Sequence, residues 1–419
     1  MPALTLSAAS TLPEDGFTGA LAGRVWRPSL EGPSVVAIRP EGVIDISAHY
    51  PTMRDLCETA DPAAALRAAH GENLGPLEQL LANTPPDHRD NSKPWLIAPN
   101  DLQAIKAAGV TFAVSMLERV IEEKARGDYQ AAAKLRTEIT ALIGDDLSKL
   151  KPGSPEAMQL KEMLIAQNAW SQYLEVGIGP DAEIFTKAPS MAAVGTGADA
   201  GLHPMSTWNN PEPEIVLVVA STGKIVGGML GNDVNLRDVE GRSALLLGKA
   251  KDNNGSCAIG PFIRLFDEHF GIPNVRQCDL AMKVTGPEGY VLEGSSSLSK
   301  ISRDPLDLVS QAIGPNHQYP DGLMLFLGTM FAPTQDRPIP GRPAGQGFTH
   351  VVGDVVSIST PTLGTLVIAG AVARRSHAGG HAWVFLQYLL GFRRLGWDVL
   401  FIDWLGSTEG LSAHGECCL

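Results

Sequence analysis

Hydrophobic residues in the second half of the chain occur in short runs that predict β-strands. Five of these runs, EIVLVVA, KIVGGML, LAMKVTG, LMLFLGT and DVVSIST, are separated by Gly, Pro and Asp and contain many β-branched residues. Short connections between successive strands indicate antiparallel pairing, and the density of turns indicates a curved sheet. We therefore expect an α+β protein whose main body, residues 171–367, is a β-rich rolled mixed sheet.

Two other segments precede this body. Residues 1–95 contain short strand patterns, GALAGRVWRP and PSVVAIRPEGVIDIS, which predict a small antiparallel N-terminal domain. Residues 96–170 predict a helical insertion, because VSMLERVIEEKARG and YQAAAKLRTEITALI carry apolar residues three and four positions apart. We expect the charged residues of these helices to form a solvated face with no functional role.

Composition and charge exclude several classes of protein. Hydrophobic residues make up 44% of the 419 positions, which is enough for a sizeable core. The net charge of -13 argues against binding to nucleic acid or to an anionic membrane surface. No apolar run reaches the roughly 18 residues that a membrane span requires. Five cysteines without CxxC spacing and an N-terminus without a signal-peptide pattern favour a cytoplasmic location.

Hairpin geometry predicts a cluster of carboxylates. The runs EIVLVVA and KIVGGML flank a turn that contains a glycine, as in a β-hairpin. If Ser221 faces Lys224, the numbers of opposed residues add up to 445, and Glu212 then lies opposite Asp233. Since side chains alternate between the two faces of a strand, Glu214 projects to the same face.

Three carboxylates at this separation repel one another unless they share a cation or protons. Oxygen ligands with no adjacent His or Cys favour Mg²⁺ first, and Mn²⁺ or Ca²⁺ next. Gly231, opposite Glu214, is expected to leave room for a ligand. The alternative is that Glu212 and Glu214 begin a solvated strand and Asp233 caps a turn, and a shift of one residue in register would separate the carboxylates.

These residues also resemble a known family. The segments PEPEIVLVV, GGMLGNDVNLRDVEG and AKDNNGSCAIGPFI are similar in order and spacing to the motifs of the fumarylacetoacetate hydrolase family, and the similarity extends to about Val367. The resemblance implies Glu212, Glu214 and Asp233 as ligands of Mg²⁺ or Ca²⁺. It also implies the family's C-terminal β-roll behind a small N-terminal domain, commonly as a homodimer or homotetramer.

Other segments, EIFTKAPS, LLLGKAKDNNGSCAIGPFI, FLGTMFAP and GDVVSISTPTLGTL, resemble the sugar-acid dehydratase branch of that family. The implied reaction is the metal-dependent dehydration of a 2-keto-3-deoxy-pentonate to 2,5-dioxopentanoate. One alternative is a hydrolase that cleaves a C–C bond of an acylpyruvate such as fumarylpyruvate. The other is a metal-binding relic without activity.

The resemblance further implies roles for individual residues. Lys251 matches the active-site lysine of the family, although Lys249, two positions earlier, is the alternative. Lys251 or Glu183 is the expected acceptor of the substrate's C3 proton, the lysine only if burial lowers its pKa. The implied substrate-binding residues are Arg237, Lys187 and Thr360.

The last segment, residues 368–419, departs from this family. Its pattern of a strand, an apolar helix from about Trp383 to Leu395 and the strand WDVLFIDWL resembles the start of a GT-B glycosyltransferase. One such unit cannot bury both faces of its strands, so we do not expect it to fold alone. His377 and His381 lack a third ligand in the sequence pattern and are not expected to bind metal.

Overall fold

The structure, a computed structural model, describes residues 4–126, 150–166, 170–342 and 344–369. The strands are β1 (Ala20–Arg27), β2 (Gly32–Arg39), β3 (Gly42–Asp45), β4 (Glu72–Asn73), β5 (Trp95–Ile97), β6 (Ala104–Gly109), β7 (Glu183–Ala188), β8 (Asn209–Asn210), β9 (Pro213–Val219), β10 (Ile225–Asp233), β11 (Asn235–Leu236), β12 (Cys257–Leu265), β13 (Asp279–Thr285), β14 (Val291–Ser297), β15 (Leu323–Phe326), β16 (Val355–Thr360) and β17 (Gly364–Ala369). The helices are α1 (Ala8–Thr11), α2 (Met53–Cys57), α3 (Pro62–Ala68), α4 (Leu77–Ala82), α5 (Ala113–Lys124), α6 (Pro155–Ala166), α7 (Gln172–Ile178), α8 (Arg237–Glu240), α9 (Leu247–Lys251), α10 (Ile272–Val275) and α11 (Pro305–Ala312).

An 11-stranded sheet forms the body of the protein, in the order β4-β3-β2-β1-β12-β10-β9-β15-β6-β7, with β5 paired to β1. Strands β15 and β6 run parallel, whereas β9 and β10 pair antiparallel, so the sheet is mixed. The predicted α+β fold with a large mixed sheet is therefore confirmed.

A second sheet of four strands, in the order β14-β13-β16-β17, packs against one face of the large sheet. Leu280 and Met282 of β13 alternate with exposed residues and bury their side chains against Leu217 and Val219 of β9. The opposite face of β9 also packs against a core, through Val216 and Val218. Strand β9 is thus buried on both faces, which explains its continuous apolar sequence.

The N-terminal strands belong to the same large sheet as the later strands, because β1 pairs with β12. The division of the chain at residues 95, 170 and 367 stays a prediction. Within the range predicted to be helical, Ala104–Gly109 form strand β6, because these residues pair with β15 and β7 on both sides. Helix α5 covers most of VSMLERVIEEKARG, as predicted.

Two predicted segments lie outside the described residues: the helix YQAAAKLRTEITALI and the tail after Ala369, with its resemblance to a glycosyltransferase. In the part of the chain that is described, every helix falls short of the length and apolar character that a bilayer crossing requires.

The predicted hairpin of β9 and β10 is present, with an offset at its turn. Ala220 and Lys224 pair across a loop that ends in Gly223, whose φ of 85° is a conformation that glycine adopts readily. Ile225 opposes Val219, so the predicted pairing of Ser221 with Lys224 is wrong by one position. A bulge at the next residue inserts one position into β10, and from Gly227 onward the opposed residues again add up to 445.

Candidate functional site

The hairpin brings the three predicted carboxylates together. Gly231 lies opposite Glu214, and the amide of Asp233 donates a hydrogen bond of 2.9 Å to the carbonyl of Glu212. The same register continues into β8 and β11, where Asn210 opposes Asn235. One oxygen from each carboxylate lies within 4.8 Å of the others, and all three side chains are buried.

Each carboxylate turns one oxygen toward the centre of the cluster. The Thr329 hydroxyl links Glu212 Oε2, at 2.8 Å, with Glu214 Oε1, at 3.3 Å. The Lys251 ammonium links Glu212 Oε2 with Asp233 Oδ2, the latter at 2.8 Å. Because these partners are shared, Glu212 Oε2, Glu214 Oε1 and Asp233 Oδ2 face one another, and we call them the inward oxygens.

The other oxygens of Glu212 and Glu214 are held by hydrogen bonds from outside the cluster. Glu212 Oε1 accepts hydrogen bonds from Arg119 Nη2 at 2.5 Å and from Asn235 Nδ2 at 3.1 Å. Glu214 Oε2 accepts one from the backbone amide of Gly328 at 2.7 Å. Asp233 Oδ1 lies 2.9 Å from Lys187 Nζ in an ion pair, but it has no hydrogen-bond partner among the described residues. We call these three atoms the outward oxygens.

The sequence suggested that Gly231 leaves room for a ligand, but in the structure the space beside this glycine is filled. A Cβ atom at this position would lie 2.3 Å from the Phe326 ring and 2.6 Å from the Val216 side chain. The glycine therefore lets the Phe326 ring pack closely against the hairpin beside the carboxylates.

Burial and mutual repulsion separate the protonation behaviour of the two glutamates. Burial, together with the charges of Asp233 and Glu212, raises the pKa of Glu214 well above its ordinary value. Burial also acts on Glu212, but the charges of Lys251 and Arg119 outweigh it and lower the pKa of Glu212. In the metal-free protein we therefore expect Glu214 to carry a proton and Glu212 to be ionised.

Of the two lysines that the sequence left open, Lys251 is the one at the cluster. It lies at the end of α9 with its side chain buried, whereas Lys249 is exposed. Burial lowers the pKa of the Lys251 ammonium, but the charges of Asp233 and Glu212 outweigh burial and raise the pKa above its ordinary value. The ammonium therefore stays protonated in the metal-free protein.

Lys187 is fully buried, and protein atoms surround its ammonium. Besides its ion pair with Asp233, Nζ donates to the carbonyls of Val234 and Lys251 and to the Ser256 hydroxyl. An ammonium has three protons, so these partners already satisfy it. Lys187 ties β7 to β10 and α9, and its predicted contact with a substrate stays a prediction.

Glu183 lies at the start of β7, opposite Gly109 of β6. A Cβ atom at position 109 would lie 1.9 Å from Glu183 Oε2, so the carboxyl group occupies the space that this glycine leaves free. The side chain is half-buried. Burial, and next the charge of Glu240, raise the pKa of Glu183 to about 7.

The structure does not bring Thr360 to the carboxylates. Cys257 pairs with Asp233, whereas Arg264, at the other end of β12, donates to the carbonyl of Thr362. At roughly 3.3 Å per residue, Cys257 and Arg264 lie about 23 Å apart along β12, so the segment that contains Thr360 is at the far end of this strand from Asp233. Thr360 sits beside Thr362 in the small sheet, with its side chain at the Cys278 thiol.

The threonine at the cluster is Thr329, since the pairing of β15 with β9 carries the segment FLGTMFAP past Glu214. Arg237, at the start of α8, is also buried, and its guanidinium lies 4.5 Å from the centre of the Trp208 ring. Its role in substrate binding stays a prediction.

Sequence reasoning missed two charged residues at the site. Arg119 belongs to the helix whose charges were expected to face solvent, yet it contacts both Glu212 and Glu240. Glu240 ends α8 and is buried. Helical spacing alone cannot reveal either contact, because both depend on how α5 and α8 pack beside the hairpin.

The donor set fits a hard divalent cation. Three buried carboxylates supply three inward oxygens, and among the described residues no His or Cys joins the group. An ion bound there would compete with Lys251 for two of these oxygens and with the proton on Glu214.

Comparisons with known proteins identify relatives of similar sequence. The chain is 33% identical over 185 residues to the 2-dehydro-3-deoxy-D-arabinonate dehydratase of Saccharolobus solfataricus, which covers 44% of this chain and 57% of that protein. It is 28% identical over 194 residues to a probable 2-keto-3-deoxyxylonate dehydratase of Haloferax volcanii, covering 46% and 62%. The matched region spans less than two thirds of either relative. No family model matches the chain.

Solved structures share the fold. The apo form of 2-keto-3-deoxy-D-arabinonate dehydratase superposes with a TM-score of 0.57 at 23% identity, covering 85% of this chain and 100% of that one. The same enzyme in complex with magnesium and 2,5-dioxopentanoate gives a TM-score of 0.57 at 22% identity, with the same coverage. These similarities support the assignment of the fold.

Proposed function

We propose that this protein is a Mg²⁺-dependent hydro-lyase that dehydrates a 2-keto-3-deoxy-pentonate to 2,5-dioxopentanoate. The observation that carries the proposal is the set of three inward oxygens on Glu212, Glu214 and Asp233, bordered by Lys251 and Glu183. The relatives named as dehydratases of 2-keto-3-deoxy sugar acids support the same reaction class.

In this proposal Glu212, Glu214 and Asp233 hold the ion, and Mn²⁺ or Ca²⁺ are the alternatives to Mg²⁺. When bound, a divalent ion supplies Lewis-acid polarisation of the keto group of a 2-keto acid. The oxygen-only donor set supports a hard ion of this kind.

Glu183 is the proposed carrier of protons. Dehydration removes a proton from C3 and expels the C4 hydroxyl as water. The resulting enone, 5-hydroxy-2-oxopent-3-enoate, becomes 2,5-dioxopentanoate when a proton is removed from C5, a proton returns to C3 and the enol so formed ketonises. The site therefore needs a group that accepts and returns protons near neutral pH. A pKa of about 7 suits Glu183 to both steps. Lys251 is less suited to act as the base, because its ammonium stays protonated between Glu212 and Asp233.

Lys251 and Thr329 have the supporting roles. The Lys251 ammonium supplies positive charge at the inward oxygens and is the proposed contact for a substrate oxygen when an ion displaces it from Asp233. The Thr329 hydroxyl orients Glu212 and Glu214. Both side chains are held in place by their hydrogen bonds to the inward oxygens.

The test is a screen of 2-keto-3-deoxy sugar acids with and without Mg²⁺, in which a coupled aldehyde dehydrogenase detects the semialdehyde product. We expect turnover that EDTA stops and that added Mg²⁺ restores. The test variant is Lys251→Ala, at the cluster. The matched control is Lys249→Ala, which removes an exposed lysine of the same helix α9. Only Lys251→Ala should lose most of the activity.

Two results would contradict this function. Release of pyruvate from an acylpyruvate, without dehydration of any sugar acid, would favour a hydrolase. If borohydride trapped a substrate adduct on Lys251, the reaction would proceed through a Schiff base on this lysine and not through activation of the keto group by a metal. We expect no adduct, because a protonated ammonium is not a nucleophile.

A cytoplasmic location and assembly as a homodimer or homotetramer stay predictions of the sequence. Size-exclusion chromatography with light scattering measures the number of copies directly. A small-molecule sugar acid is the proposed partner of the site.

A further inference from the structure

Arg119 is a buried cation that reaches the carboxylate cluster from outside. Helix α5 follows β6 after only three residues, which places Arg119 beside the hairpin. The Arg119 side chain is 10% exposed. One arm of its guanidinium, Nη2, lies 2.5 Å from Glu212 Oε1, and the other, Nη1, lies 3.1 Å from Glu240 Oε2.

This arrangement fixes the orientation of Glu212. The ion pair with Glu240 fixes the position of the guanidinium. Its second arm therefore holds Glu212 Oε1 in one place and does not move with the glutamate side chain. Asn235 donates a second hydrogen bond to the same oxygen. With two donors on Oε1, the carboxylate presents Oε2 alone to the centre of the cluster.

The number of oxygens that each carboxylate presents matters for the choice of ion. Ca²⁺ takes six to eight ligands and often binds both oxygens of a carboxylate, whereas Mg²⁺ requires a compact octahedron and usually binds one. The outward oxygen of Glu214 is also held, by the amide of Gly328, whereas Asp233 Oδ1 has the ion pair with Lys187 but no hydrogen bond among the described residues. Glu212 and Glu214 therefore each offer a single oxygen to the cluster, which suits Mg²⁺.

We propose that Arg119 is a positioning residue that makes the site selective for Mg²⁺ over Ca²⁺ by holding the outward oxygen of Glu212. The inference rests on the proposed function, in which Glu212 is a metal ligand. It concerns metal binding itself, so it is tested by affinity rather than by turnover.

The experiment compares the affinities for Mg²⁺ and for Ca²⁺, measured by calorimetry on the full chain and on an Arg119→Met variant. Loss of a group that orients a ligand typically costs 10- to 100-fold in metal affinity. We expect a loss of this size for Mg²⁺ and a smaller change for Ca²⁺, so that the ratio of the two affinities falls about tenfold or more. A role in charge compensation alone would change both affinities equally, because both ions carry two charges.

Two further variants and a control sharpen the test. Arg119→Lys keeps the charge but loses the two-armed geometry, so its affinity ratio should also fall. Glu240→Gln keeps the contact between Arg119 and Glu212 and weakens the anchor, so a smaller fall is expected. Lys124→Met, at an exposed position of the same helix, should keep the original ratio.

The outcomes separate this inference from the proposed function. If the unaltered protein binds no Mg²⁺, both are wrong. If it binds Mg²⁺ and the ratio of affinities is unchanged in Arg119→Met, the inference alone is overturned. Should Arg119→Met fail to fold, an unchanged ratio in Arg119→Lys overturns it, and a lowered ratio supports it.

Discussion

The raised pKa of Glu183 leads to a prediction about stability. In the folded protein this pKa is about 7, against an ordinary value of 4.5. At 1.36 kcal/mol per pKa unit, the ionised carboxylate destabilises the folded state by roughly 3 kcal/mol. Below about pH 4 the Glu183 carboxyl is mostly neutral in both the folded and the unfolded protein. The destabilisation therefore develops as the pH rises from the pKa of 4.5 in the unfolded protein to the pKa of about 7 in the folded protein. Glu183→Gln removes the charge and should therefore stabilise the metal-free protein at pH 8 but hardly at pH 4.5.

The assay is thermal unfolding of both proteins in EDTA across this pH range. With an unfolding entropy of about 2.1 cal/mol/K per residue, a 419-residue chain gains roughly 1 °C per kcal/mol, so Tm should rise by about 3 °C at pH 8. Glu156→Gln, an exposed glutamate of α6, is the control and should give no pH-dependent difference. A difference between Glu183→Gln and the original protein that is the same at pH 4.5 and pH 8 would refute the raised pKa.

Three further substitutions test the contacts around the cluster. Because burial and the charges of Asp233 and Glu212 raise the pKa of Glu214, we expect a proton on it in EDTA, so Glu214→Gln should leave Tm nearly unchanged while abolishing the Mg²⁺ binding measured by calorimetry. Lys187→Met removes one partner of a buried ion pair and should destabilise by about 3–5 kcal/mol in chemical denaturation, whereas Lys249→Met at an exposed position should be neutral. Thr329→Val should cost about 1–3 kcal/mol and weaken Mg²⁺ binding, and Thr329→Ser should restore both; equal effects of the two variants would contradict the hydrogen-bonding role.

The carboxylate cluster could be predicted because it depends on local geometry. Glu212, Glu214 and Asp233 belong to one hairpin, and the register of a hairpin follows from a short stretch of sequence. The prediction succeeded although its assumption about the turn was wrong. The bulge after Ile225 compensates for the offset at Ser221, and no residue pattern in KIVGGML indicates that bulge.

The surroundings of the cluster depend on contacts between distant segments, which the sequence pattern does not encode. Arg119 lies 93 positions from Glu212, and Thr329 lies 117 positions from it. Likewise, Gly231 was expected to leave space for a ligand, because the sequence does not show that Phe326 packs against it from β15, two strands away in the same sheet. Thr360 was implied by the resemblance of its segment to the family, whereas Thr329 reaches the cluster through the pairing of β15 with β9, which the sequence pattern does not show.

The charges around the cluster explain how it can remain assembled without an ion. Arg119 and Lys187 each contact one of the carboxylates, Lys251 contacts two, and the proton expected on Glu214 removes one negative charge. In the proposed function, Glu212, Glu214 and Asp233 would hold a divalent ion in exchange for that proton and for the Lys251 contact. The outward contacts of Arg119 and Lys187 need not change in this exchange, because they involve the opposite oxygens. In the proposed function, the residues that keep the cluster assembled would therefore also orient the carboxylates toward the ion.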